Sequence, residues 1–197
     1  MSITNAPFPV LIFVRGLPGS GKSFVTNRLQ KELGEGVVVL DPDATDYESN
    51  EYHEHTKVLT EQGVNPALFA YRFLREKAYK AIKENKVVIW NQPFTNLEIF
   101  NKMIANLRIK ADEHQVALPI LVVEVEIDSA VAKKRVAERK QTGGHGPSDT
   151  TFSRFVNDYK SFKNEGFETV TVQGDDDIDD IVKHVIGALN DLLKNLS

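Results

Sequence analysis

The strongest constraint on this chain is a short glycine-rich segment. Residues 16–23 read Gly16-Leu17-Pro18-Gly19-Ser20-Gly21-Lys22-Ser23, the pattern G-x-x-x-x-G-K-[ST] of a phosphate-binding loop. Gly16, Gly19 and Gly21, with the small Ser20 between them, let a backbone curl around an anion with its N–H groups pointing inward. The Lys22 ammonium can reach β- and γ-phosphates, and the Ser23 hydroxyl can sit on Mg²⁺. The flanks agree. Val10-Leu11-Ile12-Phe13-Val14 is a continuous apolar run, as expected of a strand buried on both faces. Val25, Leu29 and Leu33 then keep a helical period that closes at Gly34 and Gly36. Strand, loop and helix in this order put a bound phosphate at a helix N-terminus.

The rest of the chain alternates in the same way. Val37-Val38-Val39-Leu40 predicts a second strand, ending at Asp41-Pro42-Asp43. Helical patterns follow near 51–62 and 66–84, the latter with Leu68, Tyr71, Leu74, Ala78 and Ile82 on one stripe. Residues 87–90 predict the third strand, and Leu97, Phe100, Ile104 and Leu107 an amphipathic helix. Residues 120–127 predict the fourth strand. Ser129 is placed to cap a basic helix running to about Lys140, and 141–148 is a glycine-rich loop. Phe152, Phe155 and Tyr159 fit a further helix, 169–172 a fifth strand, and 178–196 a final helix. This pattern predicts one doubly wound α/β domain over residues 1–197, with a mostly parallel five-stranded sheet and helices on both faces. Ligands in such sheets bind at the carboxyl ends of the strands. Gly16, Asp41, Asp43, Asn91 and Asp128 all fall there.

Composition narrows the function classes. The formal net charge of −4 gives no global attraction to nucleic acid or anionic membrane. No cysteine is present, so disulfides and thiolate chemistry are excluded. The first nine residues lack the basic start and apolar core of a signal peptide, and no apolar stretch approaches ~18 residues. A cytoplasmic location is expected.

Two further constellations carry chemistry. Asp-Pro-Asp by itself reads as a turn with one Asp capping the next helix. Beside a phosphate loop it supplies one carboxylate for the metal side and one to take a proton from an acceptor hydroxyl. We assign Asp41 to the metal, with Ser23, and Asp43 as the base. Arg135 and Arg139 lie at i, i+4 on the basic helix, ahead of Gly143-Gly144-His145-Gly146-Pro147 and then Arg154. A solvated basic face is the ordinary explanation of such a cluster. Next to a glycine-rich hinge, it also reads as a lid over about 139–154, whose arginines neutralise charge on a moving phosphoryl group. His145 reads as a turn residue.

This order of motifs resembles the small kinases of the zeta-toxin, polynucleotide-kinase and chloramphenicol-phosphotransferase group, with the zeta-toxin-like branch nearest. The resemblance covers most of the chain. It rests on residues 16–23, on Val39-Leu40-Asp41-Pro42-Asp43, and on Arg135-Val136-Ala137-Glu138-Arg139 running into the glycine-rich turn and Arg154. It implies ATP as phosphoryl donor with Mg²⁺, Lys22 and Asp43 as catalytic groups, and Arg139 and Arg154 near the phosphates, with Arg135 on the nucleotide. It further implies an acceptor cap over about 46–84, where Arg72 meets an anionic substrate. The acceptor in zeta toxins is a UDP-amino sugar. One departure stands out. The third strand ends Trp90-Asn91, without the acidic residue often found there. Asn91 is suited to hydrogen-bonding a substrate hydroxyl or holding water on the metal, and Trp90 to core or to a stacking wall.

Asp175, Asp176, Asp177, Asp179 and Asp180 read as an acid-rich helix N-terminus, with the preceding loop within reach of an adenine. His53 and His55 alternate and read as surface residues of the cap rather than metal ligands. The expected function is therefore ATP-dependent phosphoryl transfer to a small hydroxylated acceptor. The alternatives are a nucleotide-binding switch or ATPase acting through a partner, and a polynucleotide 5′-hydroxyl kinase, against which the net acidity weighs. Nothing in the sequence marks an oligomeric interface or a neutralising antitoxin.

Overall fold

The computed structural model describes residues 8–195. Strand β1 (Val10–Arg15) feeds the glycine loop and helix α1 (Lys22–Leu33), followed by β2 (Val38–Leu40), α2 (Asn50–Glu61), a 3₁₀ turn (Pro66–Leu68) and α3 (Phe69–Lys83). Then come β3 (Val87–Asn91), α4 (Leu97–Glu113), β4 (Ile120–Glu126), α5 (Ser129–Gln141), α6 (Asp149–Asp158), β5 (Glu168–Gln173) and α7 (Ile178–Lys194). The five strands lie in the order β2-β3-β1-β4-β5, and every pairing is parallel. All strand carboxyl ends therefore share one edge.

The period-two alternation of side chains divides the core. Val10, Ile12 and Val14 of β1 join Val25, Leu29 and Leu33 of α1 and Ile181, Val185 and Leu189 of α7. Leu11 and Phe13 face the opposite way, with Leu74, Ala78 and Ile82 of α3, Phe100, Ile104 and Leu107 of α4, and Trp90. Trp90 is 1% exposed and stacks on Phe13, so it is core and not a wall of the crevice. Among the described residues, no helix is long and apolar enough to cross a membrane.

Several boundaries depart from the sequence reading. The helix expected from 66 opens with a 3₁₀ turn, because Asn65 accepts from the Ala67 N–H at 3.0 Å and Pro66 sits at the first position. Asp128, not Ser129, caps α5: its carboxylate accepts from the N–H groups of Ala130 at 2.8 Å and Val131 at 3.1 Å. That cap uses Asp128 structurally. Tyr159 lies beyond α6 in extended backbone. The final helix ends at Lys194, and Leu196, placed on it by the sequence pattern, lies outside the described residues.

The same alternation brings Arg15, last residue of β1, to the α4 side of the sheet. Its registered partner on β4 is Glu124. Both side chains are fully buried and paired through Arg15 Nη1 and Glu124 Oε1. Arg15 Nη2 donates to the carbonyls of Phe94 at 3.0 Å and Lys160 at 2.8 Å. The guanidinium lies 3.6 Å from the Phe162 ring centroid and 4.3 Å from that of Tyr159. Glu124 accepts from Ser161 Oγ at 2.5 Å and from the Phe162 N–H at 2.6 Å. Removing one partner of such a pair strands a buried charge, at about 3–5 kcal/mol. Glu124→Gln should therefore lower the melting temperature by roughly 6–20 °C. The double substitution Arg15→Met with Glu124→Leu should recover most of that loss in the same thermal denaturation measurement.

Candidate functional site

The glycine loop sits at the carboxyl end of β1, packed from behind on three neighbours. Gly19 has φ +86°, and a Cβ there would lie 2.4 Å from the Ala132 carbonyl oxygen of α5. A Cβ on Gly16 would meet the Val125 carbonyl oxygen of β4 at the same distance. Beyond β5, a Cβ on Gly174 would stand 2.0 Å from the Ser20 carbonyl oxygen. Only glycine permits these approaches, and they fix the loop between α5, β4 and the β5–α7 connection. Helix α1 begins at Lys22, leaving its first N–H groups without intrahelical partners and directed at the cradle.

The Lys22 ammonium donates to the Leu17 carbonyl at 2.9 Å across the loop. Burial pushes its pKa from the ordinary 10.5 down to about 8, against the pull of Asp43 and then of Asp41, while Arg139 adds to the lowering. Both carboxylates and Arg139 thus act electrostatically on one ammonium. Asp43 is exposed and Asp41 half-buried. Asp41 Oδ1 accepts from the Asp43 N–H at 2.9 Å, which fixes the turn carrying both acids.

Asn91 joins the loop to this turn. Its Nδ2 donates to Ser23 Oγ at 3.0 Å and to Asp41 Oδ2 at 2.6 Å. The residue is 4% exposed, and its Oδ1 is buried without a hydrogen-bond partner. A hydroxyl, a carboxylate and an orphaned amide oxygen form an oxygen donor set that fits a hard cation such as Mg²⁺, which takes few protein ligands and keeps its waters. Ser23 and Asp41 would hold the ion, with Asn91 Oδ1 accepting from its hydration shell. Among the described residues, no group of three or more His, Cys, Asp or Glu side chains is arranged to hold a metal. That includes His53 and His55. His55 packs on Phe73.

The remaining sequence candidates spread around this centre. Arg135 Nη1 donates to the Gly174 carbonyl at 3.2 Å, on the β5 side of the loop. Arg139 is exposed but close enough to act on Lys22. Arg154 is exposed on α6 and is tied to none of the loop residues. The turn between α5 and α6 is folded back on α5: the Gly144 N–H donates to the Arg139 carbonyl at 2.9 Å, and a Cβ on Gly146 would strike Val136. Helices α5 and α6 share a small cluster of Ala132, Val136 and Phe152, against Leu17 of the loop. Arg72 lies in the first turn of α3, which runs antiparallel to the strands and so starts at their carboxyl edge. Its Nε is buried without a partner. Asp177 caps α7, accepting from the Asp179 N–H at 2.9 Å, as the acid-rich stretch predicts.

Sequence reasoning missed Arg15, Glu124 and Tyr159. A signal existed for the first two: opposite charges interrupt two otherwise apolar strands, and buried charges need partners. It also missed Tyr47, whose phenol burial pushes to higher pKa, with Asp43 and Asp41 adding to the effect. That ring begins an aromatic row through Tyr52 to Phe73.

Fold and loop together define a P-loop nucleotide-binding domain with the architecture of P-loop kinases. The chain belongs to the AAA domain family, whose pattern matches residues 11–162. A gluconokinase from Sinorhizobium meliloti 1021 has the same fold, with 19% identity over 96% of each chain and a TM-score of 0.59. A sugar kinase from Janibacter sp. HTCC2649 is similar at 14% identity over 93% of this chain and 95% of that one, TM-score 0.61. The PezAT chromosomal toxin–antitoxin system of Streptococcus pneumoniae contributes a chain similar at 14% identity over 95% and 88%, TM-score 0.59. No curated protein matches the sequence.

Replacing Asn91 by Asp puts a second carboxylate beside Asp41. Ligand charge count sets the affinity of oxygen sites for cations. Asn91→Asp should therefore bind Mn²⁺ about tenfold more tightly than wild type without nucleotide, as read by electron paramagnetic resonance titration.

Proposed function

We propose that the chain is an ATP-dependent phosphotransferase that moves the γ-phosphoryl group to a hydroxyl of a small acceptor, a nucleotide sugar being the acceptor the zeta-toxin resemblance favours. The observation that carries this reading is the tie through Asn91 from Ser23 of the phosphate loop to Asp41, whose carboxylate in turn holds the N–H of Asp43. In this reaction the acceptor oxygen attacks the γ-phosphorus and its proton passes to Asp43. The bond from phosphorus to the bridging oxygen breaks, and ADP leaves with the electron pair. Mg²⁺, when bound, neutralises charge on the β- and γ-phosphates. Lys22 holds the same oxygens, and Arg139 and Arg154 bear on the transferred group from the lid. The unpaired Arg72 guanidinium, at the mouth of the α2–α3 cap, receives an anionic part of the acceptor.

Incubation with ATP and a panel of UDP-amino sugars, sugars, nucleosides and 5′-hydroxyl oligonucleotides, read by mass spectrometry, should show one class gaining a phosphoryl group. No gain in any class, with ATP still bound, favours the switch reading. Asp43→Asn should keep ATP affinity and lose transfer by about 10²–10⁴-fold. Arg139→Ala should likewise reduce turnover far more than affinity, the mark of a contact made in the transition state.

The lowered Lys22 pKa gives a pH signature. Free Lys22 is largely neutral above its pKa of about 8, whereas bound phosphates favour its charged form. Binding of ATP just above that pH must take up a proton, and affinity must fall as pH rises further. Calorimetry in buffers of different ionisation enthalpy should show this uptake, and Lys22→Met should abolish it along with most of the affinity.

A further inference from the structure

Phe24 is 66% exposed, although it follows Ser23 directly in the first turn of α1. The core does not use it: the apolar stripe of α1 is Val25, Leu29 and Leu33. Its orientation follows from Arg28, one turn further along the same helix face. Arg28 pairs with Asp179 in the first turn of α7, Nε–Oδ1 3.0 Å. Phe24 therefore lies on the side of α1 that faces the connection between β5 and α7, displaced toward the cradle because helical side chains lean toward the N-terminus. That connection is seated on the phosphate loop. Gly174 packs on the Ser20 carbonyl, and its own carbonyl stands 3.5 Å from where a Gly21 Cβ would be. Arg135 reaches the same Gly174 carbonyl from α5.

We propose that Phe24 is a stacking platform for the base of the donor nucleotide. A triphosphate lying in the loop with its γ-end toward Asp43 extends its nucleoside to the opposite side, past the first turn of α1. There the Phe24 ring is the exposed aromatic surface, and the Gly174 backbone forms the floor. Every base has a π-face, so a bare phenyl ring contributes affinity without choosing among bases. Phe24 thus separates nucleoside triphosphates from inorganic polyphosphate, and purine identity is read weakly at this position. This inference rests on the nucleotide reading of the loop and adds a residue to it.

The test compares ATP, GTP and inorganic tripolyphosphate on the full chain by calorimetry. Phe24→Ala should weaken ATP and GTP alike by roughly ten- to a hundredfold and leave tripolyphosphate unchanged. Phe24→Trp should keep the affinity and report the stack as fluorescence quenching by ATP but not by tripolyphosphate, since the native Trp90 is buried in the core. Wild-type affinity for ATP in Phe24→Ala overturns the proposal, as does equal quenching by ATP and tripolyphosphate in Phe24→Trp. The two readings fail separately. Lys22→Ala binding tripolyphosphate as wild type does overturns the phosphate cradle, whereas the ratio of ATP to tripolyphosphate affinity in Phe24→Ala judges the stacking alone.

Discussion

The buried pair between Arg15 and Glu124 ties together parts of the chain that are distant in sequence. Two charges are desolvated, and their attraction is sufficient only because every remaining polar atom but one is bonded. Arg15 immediately precedes Gly16, so fixing its side chain fixes where the phosphate loop leaves the sheet. Its contacts to Lys160 and Glu124's contacts to Ser161 and Phe162 hold the stretch by which the chain returns from α6 to β5. The contact to Phe94 holds the start of the connection from β3 to α4. One ion pair thus sets the origin of the loop, the return of the chain from α6 and the exit from the strand carrying Asn91.

Around that anchor the site is assembled mostly from backbone. The loop is wedged between Ala132, Val125 and Gly174 at distances only glycine allows, and the acid turn is held by Asp41 on the Asp43 N–H. Asn91 is the side chain that connects the two halves. A neutral amide can donate to a hydroxyl and a carboxylate at once, which a carboxylate at that position could not do. The departure from the common acidic residue is therefore accompanied by a different arrangement, in which Asp41 would be the one acid offered to a cation and is held in place by hydrogen bonding.

Much of this was legible in the sequence, for identifiable reasons. The strand before Gly16 and the helix after Ser23 were readable because buried parallel strands are continuous apolar runs and α1 keeps its period. Asp41 and Asp43 were readable because strand carboxyl ends share one edge. What the sequence hid depends on register. Nothing local says that Arg15 lies opposite Glu124, or that Asn91 lies between Ser23 and Asp41; both follow from how β1, β3 and β4 align. Asp128 lines a pocket beside Leu17 of the loop, as its place past β4 suggests, and its carboxylate is also the cap of α5, since Asp at a strand end and Asp at an N-cap share one sequence signature. Trp90 was ambiguous until alternation along β3 assigned it to the interior.

Helices α5 and α6 rest on three buried side chains, Ala132, Val136 and Phe152, beside Leu17, whereas each face of the sheet is covered by a far larger cluster. Local opening free energies track such differences in buried apolar contact. The arginine-bearing segment is accordingly held less firmly than the sheet, and its seat is the phosphate loop itself. On warming, the arginines would detach ahead of the global melting of the sheet. A phosphate-bearing ligand bridging Lys22 and Arg139 would narrow that gap from within.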